Sequence, residues 1–390
     1  MRIQFWTCYY DPEPMGIAPL AGVWAREMAA RGHEVEVIAA HPHYPNPSWG
    51  YPPLWPYSEV LDGILVRRLP LFLHRRRAWE RLLYELTFLG SLSAAAPFLG
   101  KPDAIVSASP SFPALLPAML ASRARKIPWY IWLQDILPDG AVTTGYLAGG
   151  GPVVRLSRRL ESSAYRSAAG IVVLSQSFRR NLLSKGVDDG KITVAYNPAT
   201  ISGPSLYGPS PDEPPRVLCM GNIGKSQGLP EIVRDFEGNA DLEKMGAKLI
   251  IAGGGVAEDE VRGSITTDRV EMTGVLGQDE IKDQLRRSTL AAVTQAYDGG
   301  EFNVPSKLMN YLAAGTPVVA SVSRSSEAYR IVTESGSGWI ADPGKFGATI
   351  VEALGTPDEL VRRSANGHHF AQENLSAQVL IDRFERSINA

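Results

Sequence analysis

Residues 298–320 read DGGEFNVPSKLMNYLAAGTPVVA. A glycine-bearing loop ends in the acid Glu301, with Asn303 just beyond it. Pro305-Ser306-Lys307 then opens a helix whose apolar positions are Leu308, Leu312 and Ala313. Gly315 closes that helix, and Pro317 leads into Val318-Val319-Ala320, a buried strand. A helix followed at once by a buried strand is a step of a βα-repeat sheet. The start of a helix also leaves free N–H groups and a positive dipole end, where a phosphate binds readily. Lys307 on the first turn adds a mobile positive charge and Ser306 a hydroxyl.

A solvated lysine at an ordinary helix start fits the same letters. The approach loop favours a ligand instead, because sugar hydroxyls beside a diphosphate need acceptors such as Glu301. Upstream, the pattern around this stretch is that of an α/β domain. Arg216–Met220 is a strand, followed by Gly221-Asn222-Ile223-Gly224-Lys225-Ser226-Gln227-Gly228 and a helix from about Leu229. A glycine-rich turn between strand and helix is a phosphate cradle by geometry, although its spacing is not that of a Walker motif. Asn222, Gly224, Lys225 and Gln227 are its candidate ligands. Residues 247–252 form the next strand and end in Gly253-Gly254-Gly255, where a nucleobase edge can approach backbone at Gly254. Val275, near the end of the strand predicted over 270–276, is a further candidate contact. Strands over 290–294, 317–320 and 339–341 and terminal helices over 348–354 and 377–388 complete this half.

The first half repeats the theme. Ile3–Cys8 is a strand, residues 9–16 (YYDPEPMG) a loop, and Ile17, Leu20, Ala21, Trp24 and Met28 mark a helix of period 3.6 before the strand 35–40. This is a βαβ unit with a parallel sheet, so the loop faces a ligand crevice and Gly16 permits close backbone approach. Residues 41–56 (HPHYPNPSWGYPPLWP) are too rich in proline for helix or central strand. His41 and His43 lack a convincing metal-site spacing and read as structural or acceptor-contacting residues. A single strand is expected over 61–69. Arg75, Arg76 and Arg77 then precede the apolar stretch from Leu82 to Leu99, whose one charge is Glu85. That stretch is either a core helix with a solvated basic neck or a helix lying on a membrane surface. Strands over 103–109 and 129–133 follow, and Gln134-Asp135 stands at the carboxyl end of the second. Asp135 reads as a base or sugar contact, or as a simple helix cap. Between the halves, residues 198–215 hold six prolines and two glycines and mark a boundary.

Charge is divided between the halves. Residues 1–200 carry 21 Lys+Arg and 15 Asp+Glu, a net +6, and the remainder −8, for −2 overall. A basic first half suits an anionic or membrane-bound partner; no nucleic-acid-binding motif accompanies it. Two cysteines far apart, Cys8 and Cys219, fit a reducing cytoplasm without a structural disulfide. Met1-Arg2 runs straight into a strand, so no signal peptide is expected.

The run PSK…YLAAGTP resembles the donor-binding signature of glycosyltransferase family 4, in the branch that builds bacterial capsule, colanic acid and O-antigen polysaccharides. YYDPEPMGI, RGHEVEVI and WLQDILPD are similar to other segments of that branch. The resemblance implies the GT-B fold: two Rossmann-like α/β domains with parallel sheets facing a central cleft. It places an acceptor domain at 1–200, a nucleotide-sugar domain at 201–372 and a helix crossing back at 373–390. It implies a cytoplasmic enzyme, peripheral on the inner membrane face, that needs no metal or other cofactor. The enzyme would move a hexose, deoxyhexose or N-acetylated aminosugar, with retention, from a nucleoside diphosphate (UDP foremost). The acceptor would be a lipid-linked or polysaccharide-precursor glycan. In that scheme Asp135 and Glu301 are catalytic. Gly16, Asn222, Gly224, Lys225, Gln227, Gly254, Val275, Asn303, Ser306, Lys307 and Asn310 bind substrate, and Arg75, Arg76, Arg77 and the 82–99 stretch meet the membrane. Two departures stand out. The family's second glutamate position, which grips the ribose, is Asn310 here, and Lys225 is the loop's only cation. A non-catalytic binding subunit or a nucleotide-sugar epimerase of the same fold therefore stays open. An oxidoreductase lacks its Gly-x-Gly-x-x-Gly after the first strand.

Overall fold

Apolar runs such as Ala104–Ala108, Trp129–Leu133 and Leu290–Thr294 are buried along their whole length, as strands covered on both faces are. The computed structural model describes residues 1–13, 16–43, 55–73, 78–109, 112–136, 152–201, 203–295 and 305–389. They form two units, Met1–Tyr196 with Ala377–Ala390, and Asn197–Ser376.

In the first unit the strands are β1 (Arg2–Thr7), β2 (Glu34–Ala40), β3 (Tyr57–Leu61), β4 (Ile64–Leu69), β5 (Ala104–Ala108), β6 (Trp129–Leu133), β7 (Gly170–Val173) and β8 (Ile192–Val194). Among the described residues they lie in the order β3-β4-β2-β1-β5-β6-β7-β8. Neighbours are parallel except for the β3–β4 pair. The single strand expected over 61–69 is instead that hairpin. It turns at Asp62 (φ 52°) and Gly63 (φ 79°). A two-residue hairpin turn of the favoured twist needs positive φ at both positions, and Asp-Gly is its sequence sign. The stretch from Leu82 to Leu99 becomes the helix Ala78–Ala95 and a short 3₁₀ turn, Ala96–Phe98.

The core of this unit centres on aromatic rings. Phe5 lies 4.7 Å from Trp24, and Phe384 stands edge-on to both Trp24 and Trp132 at 5.5 Å. Phe384 comes from the helix Ala377–Asn389, whose Leu380, Ile381 and Ile388 join the same core. Arg31 pairs with Asp382 and Glu385 at 2.6 Å each, and Tyr130 donates its hydroxyl to Ile388 O. The last helix thus completes the first unit.

The second unit contains β9 (Arg216–Met220), β10 (Lys248–Ala252), β11 (Val270–Gly274), β12 (Leu290–Thr294), β13 (Val318–Ser321) and β14 (Gly338–Ile340), in the order β11-β10-β9-β12-β13-β14 among the described residues. All of its pairs are parallel. The proline-rich segment is not a free connector: Leu206 N–H donates to Ala314 O at 2.9 Å and Ser205 Oγ to the same oxygen at 3.1 Å. A long helix, Pro357–Asn374, was not foreseen, although Pro357 and the acids Asp358 and Glu359 in its first turn are ordinary helix-start signals.

Strand order reverses between β1 and β5 in the first sheet and between β9 and β12 in the second. At such switch points the connections diverge and leave a crevice at the carboxyl ends of the strands. Cys8 and Cys219, one in each unit, are buried. Among the described residues no helix is long and apolar enough to cross a membrane.

Candidate functional site

The loop after β9 and the helix Ser306–Ala314 after β12 both begin at the second unit's switch point. Lys307, expected as a mobile positive charge on the first helical turn, is only 7% exposed. Its Nζ donates to Gln227 Oε1 at 2.7 Å and lies 3.8 Å from Cys219 Sγ. Gln227 in turn donates through Nε2 to Asn222 O. Asn222, Gln227 and Lys307 are thereby brought together from loop and helix. Among the described residues no carboxylate pairs with Lys307, and a buried ammonium facing neutral groups is unfavourable until an anion joins it. The helix start supplies further donors: Pro305 occupies the cap position, no side chain caps it, and Ser306 is exposed on the first turn. The helix Leu229–Glu237 likewise starts without a side-chain cap, after Gly228. Lys225 is exposed between them, with no ion pair among the described residues.

The three-glycine turn holds this loop in place. Ile223 N–H donates to Gly254 O at 2.9 Å, and Gly221 N–H to Ala252 O at 2.8 Å. Gly253 has φ +153°, and a Cβ there would overlap the Gly221 carbonyl; one at Gly255 would meet Ile223 O at 2.5 Å. Only glycine lets these backbones approach so closely. A side chain at Gly254 would stand 3.4 Å from Val275 Cγ2, so the two expected contacts are neighbours, and Val275 is 84% exposed. Tyr311, not singled out from sequence, is fully buried, and its hydroxyl accepts Met220 N–H at 2.8 Å, which fixes the end of β9. Burial first, and then the neighbouring Cys219, push its ionisation well above the usual tyrosine range. It lies one helical turn after Lys307, the spacing that could have revealed it.

Asn310 is committed elsewhere. Its Oδ1 accepts Thr200 N–H at 2.8 Å, Thr200 Oγ1 at 3.0 Å and Ile201 N–H at 3.3 Å. The carboxamide oxygen of the residue expected at the ribose therefore anchors the start of the second unit, and its amide nitrogen takes no part in these bonds. Glu301, Asn303, Arg75, Arg76 and Arg77 lie outside the described residues.

In the first unit Asp135 stands beyond the end of β6, and its backbone oxygen accepts Ser109 Oγ at 3.0 Å, tying the ends of β5 and β6 together. Its carboxylate keeps solvent contact at the rim of a densely packed sheet end. The surrounding protein raises its pKa above the ordinary aspartate value, opposed by a hydrogen bond from Ile136 N–H. Gly16, at φ +66°, faces open space. Beside it is a buried polar cluster that sequence reading missed. Glu13 Oε1 accepts His43 N–H at 2.8 Å, and His43 Nε2 bonds to Tyr84 OH at 2.9 Å. Tyr84 OH also reaches Cys8 Sγ at 2.9 Å and Tyr9 OH at 3.0 Å. Burial lowers the pKa of nearby His41, and Arg68 works in the same direction. Among the described residues no three His, Cys, Asp or Glu side chains are grouped to hold a metal.

Known proteins share this organisation. The profile described as "Glycosyl transferase 4-like domain" matches residues 15–198, and that of "Glycosyl transferases group 1" matches residues 214–356. The chain is 27% identical over 352 residues to the Escherichia coli (strain K12) protein named "Putative colanic acid biosynthesis glycosyl transferase WcaI", covering 84% of each chain. Among solved structures, sucrose-phosphate synthase from Thermosynechococcus elongatus superimposes with a TM-score of 0.69 at 15% identity, over 100% of this chain and 98% of that one. Anabaena Alr3699/HepE in complex with UDP does so with a TM-score of 0.67 at 16% identity, over 100% of both chains. The chain belongs to glycosyltransferase family 4, with the GT-B fold.

Proposed function

We propose that this protein transfers a sugar from a nucleoside diphosphate, UDP foremost, to a lipid-linked precursor of a cell-envelope polysaccharide, with retention of anomeric configuration. The observation that carries the reading is the buried Lys307 ammonium at the second switch point, held by Gln227 with no carboxylate beside it among the described residues. A diphosphate there meets Lys307, the exposed Lys225 and two uncapped helix starts. The same groups stabilise the charge that grows on the diphosphate as the glycosidic bond breaks. This makes catalysis independent of a divalent cation, so chelation with EDTA leaves turnover unchanged. Gly254 and Val275 form the ledge for the base. Glu301 holds the donor sugar, and Asp135 takes the acceptor proton. Support for UDP comes from HepE, solved with UDP, and support for the pathway from WcaI, named for colanic acid biosynthesis. The run Arg75-Arg76-Arg77 ahead of the helix Ala78–Ala95 docks the first unit on anionic lipid, at about 1 kcal/mol per cation.

A thermal-shift screen against UDP-, GDP- and dTDP-sugars tests the donor. The true donor at about 100 times its Kd stabilises the protein by about 2.7 kcal/mol. Stabilisation by none of them contradicts the reading.

A further inference from the structure

The helix Ala78–Ala95 is apolar on two sides. Tyr84, Phe88 and Leu92 pack inward and are buried. Leu83, Leu86, Gly90 and Ala94, at i, i+3, i+7 and i+11, are all exposed, and Phe98 just beyond the helix is 88% exposed. Glu85 is the only charged residue from Leu83 to Phe98. A water-facing helix surface normally carries charge, so this one is built for apolar company. Beside it lies a cavity of about 720 Å³, lined by Gly90, Ala94 and Phe98 on one side and by Tyr57, Arg67 and Leu69 of the β3–β4 hairpin on the other. That volume falls within the roughly 300–1,000 Å³ of small-molecule sites. Three polar side chains of its lining are already engaged. Ser91 Oγ donates to Pro70 O at 2.8 Å, Arg67 Nε pairs with Glu36 at 2.5 Å, and Arg68 Nε pairs with Glu59 at 2.7 Å. With both guanidiniums neutralised, the cavity offers little to an anion and suits hydrocarbon.

We propose that this cavity takes the hydrocarbon chain of the lipid that carries the acceptor, an assignment that rests on the proposed transfer to a lipid-linked glycan. The helix itself argues for that lipid. Its Tyr84 reaches the Cys8, Tyr9 and His43 cluster at the end of β1, where the acceptor is expected. Gly90 lies six residues further on, about 9 Å along the axis. One rigid element thus holds the head-group end and the chain. The chain leaves the membrane to enter the protein between Gly90, Ala94 and the β3–β4 hairpin, while Leu83 and Leu86, exposed further along the helix, rest in the lipid surface.

Filling the cavity tests this. A Cβ at Gly90 meets nothing within 4 Å, so Gly90→Trp is sterically open, and Ala94→Trp serves as an independent second variant. The full chain is titrated without vesicles against dansyl-labelled geranylgeraniol, a neutral probe that avoids the diphosphate site. Wild type binds it saturably. Both tryptophan variants weaken binding at least tenfold, while melting temperature, UDP affinity and flotation on anionic vesicles stay as in wild type. No binding by wild type, or binding untouched by both substitutions, overturns the assignment. Displacement by hexadecanol as efficient as by unlabelled geranylgeraniol marks a site for bilayer acyl chains and also overturns it. Cavity-dependent binding by a protein that transfers sugar from no nucleotide donor supports the cavity and contradicts the proposed function instead.

Discussion

Lys307 sets the character of the proposed donor site at the scale of single residues. An amine that is 7% exposed and, among the described residues, bonded to Gln227 Oε1 and the Cys219 sulfur with no carboxylate beside it is held ready for an anion. Removing it leaves a bound diphosphate without its buried partner, a loss of roughly 2–5 kcal/mol for such charge pairs. Isothermal titration of Lys307→Ala with UDP should therefore show at least a thirtyfold weaker Kd, and Lys225→Ala, an exposed site, a smaller change. Equal and small losses in both variants would remove Lys307 from the site. Asp135 gives a second, independent test. Only its ionised form can accept a proton, and its surroundings raise its pKa above the usual aspartate value. The acid limb of the kcat/KM profile should therefore lie higher than an ordinary carboxylate's and vanish in Asp135→Asn along with most activity. A limb unchanged in that variant belongs to another group. Lys307 and Gln227 could both be read from sequence as ligands, but their contact could not. Pattern places each on its own element, and only the parallel pairing of β9 with β12 brings those elements together. Asn310 shows the reverse. The family resemblance put it at the ribose, while its oxygen is taken by the backbone of Thr200 and Ile201, more than a hundred residues away in the chain.

At the scale of elements, the glycine turn after β10 and the last helix are the parts whose failure is easiest to read. Gly253→Ala imposes about 1–3 kcal/mol of backbone strain in addition to the overlap with the Gly221 carbonyl. Urea unfolding followed from the second unit should shift to lower midpoint, and UDP binding should fall with it; an unchanged midpoint would show that the turn relaxes freely. On the last helix, Phe384→Ala empties a site between Trp24 and Trp132 and should cost about 3–5 kcal/mol. Its neighbour Glu385 makes the same contact dependent on pH. The hydrogen bond from His33, helped by one from Arg31, lowers its pKa below the ordinary glutamate value against the opposing effect of burial. A carboxyl whose folded pKa is depressed contributes stability above its unfolded value, about 4.3, and loses it as pH falls through the folded one. Melting temperature should drop across that acid window in wild type and less in Glu385→Gln; identical curves would discount the pairing. Sequence reading placed a terminal helix over 377–388, where the structure has Ala377–Asn389 with Leu380, Ile381, Phe384 and Ile388 buried. It missed the helix Pro357–Asn374 and the β3–β4 turn, whose signs are local (a proline with two acids, an Asp-Gly pair) and not periodic.

At the scale of the whole molecule, two parallel sheets were legible because strands buried on both faces leave uninterrupted apolar runs that cannot serve as surface. The division into two units had a counterpart in the charges, +6 over residues 1–200 and −8 over the rest. The buried cluster of Glu13, His43 and Tyr84 and the cavity beside Gly90 were not, since both depend on how the helix Ala78–Ala95 packs on the sheet. On the proposed function, this fold moves a sugar from UDP to a lipid-borne acceptor with Lys307 on the leaving diphosphate. The most direct measurement incubates the purified chain with ¹⁴C-labelled UDP-sugars and bacterial membranes and counts label in the organic extract. Wild type should carry label from one donor into the lipid phase, and Lys307→Ala should not. Tight UDP binding with no labelled lipid from any donor, or label recovered only as an isomerised nucleotide sugar, would contradict the account.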